Sequence, residues 1–126
     1  MQSIEELFFE KQIDAYKALV QKVSDIDCIA ELSGESLYTM VMNLLNTFRS
    51  SYLFLDDETI RVFNERILEP WINGEFKSVL ERDDLQLIYD ECRHRLNGEV
   101  LPVARAYFKH RFPQAFITFS TSCPEN

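Results

Sequence analysis

The sequence predicts an all-α protein, folded as one domain spanning residues 1–126 in an irregular bundle of five to seven helices. Three observations carry that prediction. Apolar side chains recur at helical spacing along most of the chain. There are only three glycines and four prolines, fewer than the turns of an all-β fold demand. Hydrophobic residues make up 46% of the chain. A chain of this length buries about two thirds of its unfolded surface, so it needs neither metal nor disulfide to fold. No internal repeat, linker or low-complexity tract interrupts it.

Ser3 and Glu6 have the spacing of a capping box and open the first helix. Phe9, Ile13, Tyr16, Val20 and Val23 then form one face, to about Ser24. Ser24, Asp25 and Asp27 read as a break and a new cap. Cys28, Ile29 and Leu32 suggest one or two further turns, closed by Ser33 and Gly34. Ser36 to Leu55 is the central helix, with Ser36 as its candidate cap and Arg49 as its one charge. Leu37, Val41, Leu44 and Phe48 form its stripe, and Met40, Leu45 and Tyr52 widen it. Asn43, Asn46, Thr47, Ser50 and Ser51 argue against a membrane span, which needs about 20 predominantly apolar residues.

Asp56-Asp57-Glu58-Thr59 starts the next helix, whose face is Ile60, Phe63 and Ile67. Pro70 is expected to stop or kink it, with a packed corner at Trp71, Ile72 and Phe76 around Asn73-Gly74. Asp83 and Asp84 start another helix carrying Leu85, Ile88, Tyr89, Cys92 and Leu96 inward. Asn97-Gly98 is expected to end that helix as a left-handed cap. Pro102 opens a final helix with Val103, Ala106 and Tyr107, ended by Pro113. Phe116, Ile117 and Phe119 are too apolar for a free tail, and residues 120–126 form a loose end.

Cys28, Cys92 and Cys123 are odd in number, far apart and without a CxxC pair. With no basic and apolar leader at the start, this predicts reduced thiols and a cytoplasmic protein. His94 and His110 each lie between cationic neighbours, which disfavours bound metal. No nucleophile elbow, phosphate loop or dinucleotide glycine pattern occurs, so no catalytic residue, metal or cofactor is assigned.

The net charge of −8 is uneven. Residues 1–92 hold 19 acids and eight bases, a balance of −11, and residues 93–126 hold two acids and five bases, a balance of +3. Such a chain repels nucleic acid and anionic lipid and attracts basic proteins. Arg93, Arg95, Arg105, Lys109 and Arg111, interleaved with Tyr107 and Phe108, form the one segment that could track phosphates. The acids Asp25, Asp27, Glu31, Glu35, Asp56, Asp57, Glu58, Asp83 and Asp84 fall at helix starts and connections. Capping explains each singly, but several converging on one end would make a rim for a basic partner.

In size, acidity, helical content and lack of catalytic motif, the chain resembles bacterial immunity proteins of contact-dependent growth inhibition systems. That resemblance implies a non-enzymatic protein that binds and neutralises a cognate toxin, often a basic nuclease acting on tRNA. Three other readings share the profile: a phage-type inhibitor imitating nucleic-acid charge, a regulatory or nucleic-acid adaptor using residues 93–111, and a small helical enzyme working with carboxylates.

Overall fold

A computed structural model describes residues 3–29, 31–75 and 84–115. Helix α1 (Ile4–Asp27) starts where predicted, with Ser3 Oγ accepting the Glu6 N–H at 3.1 Å. It runs one turn further than predicted. Asp25 and Asp27 belong to its last turn and do not cap a new helix. Tertiary contacts override the local capping preference here. Ile26 is buried, and the Tyr89 hydroxyl donates to the Ile26 carbonyl at 2.9 Å. The short helix expected over Cys28–Leu32 does not form among the described residues.

Helix α2 (Gly34–Ser51) is capped by Ser33 rather than Ser36. The two serines act reciprocally: Ser36 N–H donates to Ser33 Oγ at 3.1 Å, and Ser33 N–H to Ser36 Oγ at 3.0 Å. Leu37, Val41, Leu44, Leu45 and Phe48 are buried, as their periodicity requires. A 3-10 turn at Tyr52–Phe54 finishes this helix.

Helix α3 begins at Asp57–Phe63, passes through a π turn at Asn64–Leu68 and continues as Glu69–Ile72. Pro70 therefore does not stop it. Proline has no N–H for the carbonyl four residues before it, here that of Arg66. Arg95 Nη1 donates to that carbonyl at 2.9 Å, and Glu69 N–H bonds Asn64 O in the wider π register. The helix ends at Gly74, in the left-handed region at φ 76°. Asn73 N–H to Glu69 O, at 2.8 Å, and Glu75 N–H to Pro70 O, at 3.0 Å, close that end.

Helix α4 repeats the device: Leu85–Arg95, a π turn at Leu96–Val100, then Leu101–Arg111. Gly98 lies inside the π turn and ends nothing, and Pro102 again follows the turn by two residues. One extra residue in a turn rotates everything after it by about 100°. A plain α continuation from Leu96 would bring Val103 and Tyr107 inward. Instead Leu101, Ala104 and Phe108 are fully covered, Val103 and Tyr107 are half-buried, and Ala106 is exposed. The described residues thus form four continuous helical runs and no strand, where five to seven helices were expected. Phe76, Asp83, Cys123 and residues 116–126 lie outside the described residues.

The core is one cluster drawn from all four runs. Tyr16 stacks on Tyr107 at 5.5 Å between ring centroids and meets Phe108 edge-on at 5.7 Å. Phe48 stacks on Phe63 at 3.9 Å, joining α2 to α3. Leu44, 1% exposed, sits in the middle of α2. Leu44→Ala should lower unfolding free energy by about 2–5 kcal/mol, read from urea unfolding followed by circular dichroism. An unchanged midpoint would contradict the central place of α2.

Candidate partner-binding surface

The predicted acids divide by position and by job. Asp25 and Asp27 end α1, Glu31 lies in the connection, Glu35 is in the first turn of α2, and Asp84 precedes α4. These lie on one side of the molecule, because Leu85 meets Gly34 and Arg93 meets Asp27 at 3.3 Å. Asp56, Asp57 and Glu58 lie at the opposite end of α2, about 27 Å away for a helix of 18 residues. The acids therefore form two separate groups and no single rim. Asp83 lies outside the described residues.

Within each group the side chains differ. Asp27 is held by Arg93 and by Asn97 Nδ2, which donates to it at 2.9 Å. Asp84 sits at the cap position of α4 but its side chain accepts no capping bond. Asp56 is half-buried and bonded within the fold. Its carboxylate accepts from the Tyr16 hydroxyl at 2.5 Å, from Thr59 N–H at 3.0 Å and from Thr59 Oγ1 at 2.5 Å. Its own N–H donates to the Tyr16 oxygen at 2.7 Å. Burial, then the bond to Asp56, pushes the Tyr16 phenol well above its ordinary pKa, so it stays a neutral donor. Asp57 and Glu58 point the other way. Both are exposed; Glu58 pairs with Arg61, which holds its carboxyl below the usual carboxylate range. Asp57 has no ion pair among the described residues.

Beside Asp57 the surface is apolar. Leu53 is 79% exposed and Tyr52 50%; Ile72, at the far end of α3, is 69% exposed. A groove of about 660 Å³ between α2 and α3 is lined by Phe48, Arg49, Tyr52, Leu53, Asn64, Leu68 and Ile72. A second, of about 440 Å³, is lined by Tyr52, Leu53, Leu55, Asp57, Ile60 and Arg61. The two share Tyr52 and Leu53, so they form one trough along α3 with a ridge across it. Periodicity alone did not single out this trough. Its signal was Leu53, a large apolar residue off the Leu37-Val41-Leu44-Phe48 stripe and at the helix end.

Three of the five bases in the basic segment make contacts within the fold. Arg95 is 7% exposed, bonded to Glu91 at 2.9 Å, to Glu75 at 3.0 Å and to the Arg66 carbonyl. Arg93 is spent on Asp27, and Arg111 lies 4.5 Å from the centre of the Phe9 ring. Both histidines are exposed. Among the described residues, no group of three or more His, Cys, Asp or Glu side chains is placed to hold a metal. No described helix is long and apolar enough to cross a membrane.

The cysteines correct the expectation of three free thiols. Cys28 is disulfide-bonded, and Cys92 is free and buried. Burial pushes the Cys92 thiol up to about 11.

Comparison with family models, curated proteins and solved structures gives no match.

Two outcomes test this surface and its support. In thiol titration at pH 8, Cys92 should be silent in the native protein and react once the chain is unfolded, whereas Cys28 should react only after reduction. Rapid native labelling of Cys92 would contradict its burial. Tyr16→Phe leaves the Asp56 N–H without its acceptor and takes one of three donors from the Asp56 carboxylate, so it should cost about 1–3 kcal/mol in chemical unfolding. A neutral substitution would show that water replaces the phenol there.

Proposed function

We propose that this domain is a non-catalytic binding protein that neutralises a basic protein toxin, a nuclease of the tRNA-cleaving kind, by direct contact. The observation that carries the reading is the α2–α3 corner, where Asp57 and Glu58 stand beside exposed Tyr52 and Leu53. Protein interfaces combine a desolvated apolar centre with a charged rim, and this corner supplies both. The charge of −11 over residues 1–92 favours a basic partner. Burial of Arg95, with the contacts of Arg93 to Asp27 and of Arg111 to Phe9, weakens the adaptor reading. Action in the cytoplasm belongs to the proposal; the Cys28 disulfide weighs against it, because the cytosol keeps thiols reduced.

The carboxylates should act mainly on encounter. Asp57→Lys with Glu58→Lys should slow association with a captured basic toxin strongly at low salt and less at high salt, since salt screens over about 8–10 Å. Asp56, the true cap, is untouched, so the fold should survive, with a loss of about 1–2 kcal/mol from two reversed first-turn charges and the broken Glu58–Arg61 pair. The same variant should protect cells less when toxin is co-expressed. Association rates that are equal for the two proteins at every ionic strength would remove these acids from the interface.

A further inference from the structure

We propose that the trough between α2 and α3 receives a basic amphipathic helix of the partner, about four turns long. This rests on the reading of the domain as a binder of basic protein and names the element that it binds. Three features of the trough select the occupant.

Length is the first. One wall is α3 itself, from Asp57 at one end to Ile72 at the other. At 1.5 Å per residue that is about 22 Å, the span of about 15 helical residues. A small ligand would use one lobe, whereas an extended apolar stripe can fill both.

Shape is the second. Leu53, crossing between the lobes and largely exposed, is a knob with open grooves on both sides. A helix laid in the trough can place apolar side chains one or two turns apart into the two lobes and straddle the knob. The far lobe ends on exposed Ile72, so an apolar contact is available at each end.

Charge is the third. The exposed charged residues of α3 are Asp57, Glu58, Glu65 and Glu69 against Arg61, a balance of −3, and of these Asp57 and Arg61 line the trough itself. Arg61 is already bonded to Glu58 and Glu65, leaving Asp57 and Glu69 without an ion pair among the described residues. The charge on the α2 wall is that of Arg49. A helix with lysines or arginines beside its apolar stripe matches the α3 flank, and an acidic one does not.

A defined probe tests this without any toxin. The probe is a labelled peptide of about 16 residues with leucines at helical spacing and lysines elsewhere; the control carries glutamates for the lysines. Fluorescence anisotropy should show saturable binding of the lysine peptide and none of the control. Leu53→Asp and Ile72→Asp should each weaken binding by about tenfold or more, as loss of a central apolar contact does. Both positions are exposed, so melting temperatures should hold, and each variant checks the other. Asp57→Lys with Glu69→Lys should weaken binding at low salt and less at high salt. The proposal is overturned by absent binding, by equal binding of the control, or by indifference to both apolar variants. It is also overturned if the protein sediments as a dimer that Leu53→Asp dissociates, since a second copy then fills the trough. If the peptide fails while Asp57→Lys with Glu58→Lys still loses protection, toxin binding stands and only the helix is removed. Peptide binding with no toxin neutralised would do the reverse.

Discussion

The bond between Tyr16 and Asp56 fixes the corner on which the rest of the surface depends. Tyr16 lies at the middle of α1 and is fully buried. Its hydroxyl donates to the Asp56 carboxylate and accepts the Asp56 N–H, so one oxygen satisfies two groups at the start of α3. A hydrogen bond to a charged group contributes about 1.5–3 kcal/mol. Because the same ring stacks on Tyr107 and meets Phe108 edge-on, α1, α4 and the α2–α3 corner meet at a single side chain. With Asp56 turned inward as cap and anchor, the next two residues are displayed outward.

A second constraint keeps the helices long. Each of the two prolines inside a helix follows a π turn by two residues, Pro70 in α3 and Pro102 in α4. A proline removes one N–H and crowds the preceding turn, at a usual cost of about 3 kcal/mol. Widening the turn before it relieves the crowding, and at Pro70 the stranded Arg66 carbonyl finds Arg95. Burying a guanidinium is costly unless its donors are filled. Here each of the three guanidinium nitrogens has an acceptor, in Glu91, that carbonyl and Glu75, so the residue that repairs α3 also ties it to α4.

The sequence made the interior of α1 to α3 legible, because their stripes are long and regular. Tyr16, Val20, Val23, Val41, Leu44, Phe48, Phe63 and Ile67 are buried as their spacing implies. What it hid were features set by distant partners. Asp25 and Asp27 look like a cap until Tyr89, Arg93 and Asn97 arrive to hold the end of α1. Gly98 looks like a terminator, and local propensity has no signature for a π turn stabilised by packing. The shift of face from Val103 to Ala104 follows from that turn alone. At the surface, acidity was legible and its division was not, since capping and display call for the same residue types.

That division bears on which acids can matter for binding. Asp25 and Asp27 stand at a helix C-terminus with no base in its last turn, where the dipole disfavours them. Arg93 and Asn97 answer Asp27, so its charge is largely spent within the fold. Glu31, Glu35 and Asp84 remain exposed on that side, but the exposed large apolar residues nearest them are Tyr38 and Leu87, one on each of two helices. The other group lies about 27 Å away, beyond the roughly 8 Å over which charges are felt at physiological salt, so the two groups steer independently. Attraction speeds encounter but does little to hold a complex together once water has screened it. Holding requires apolar surface that water leaves. At Asp57 a carboxylate without an ion pair among the described residues, an exposed leucine and a groove coincide, the combination that the proposed binding requires.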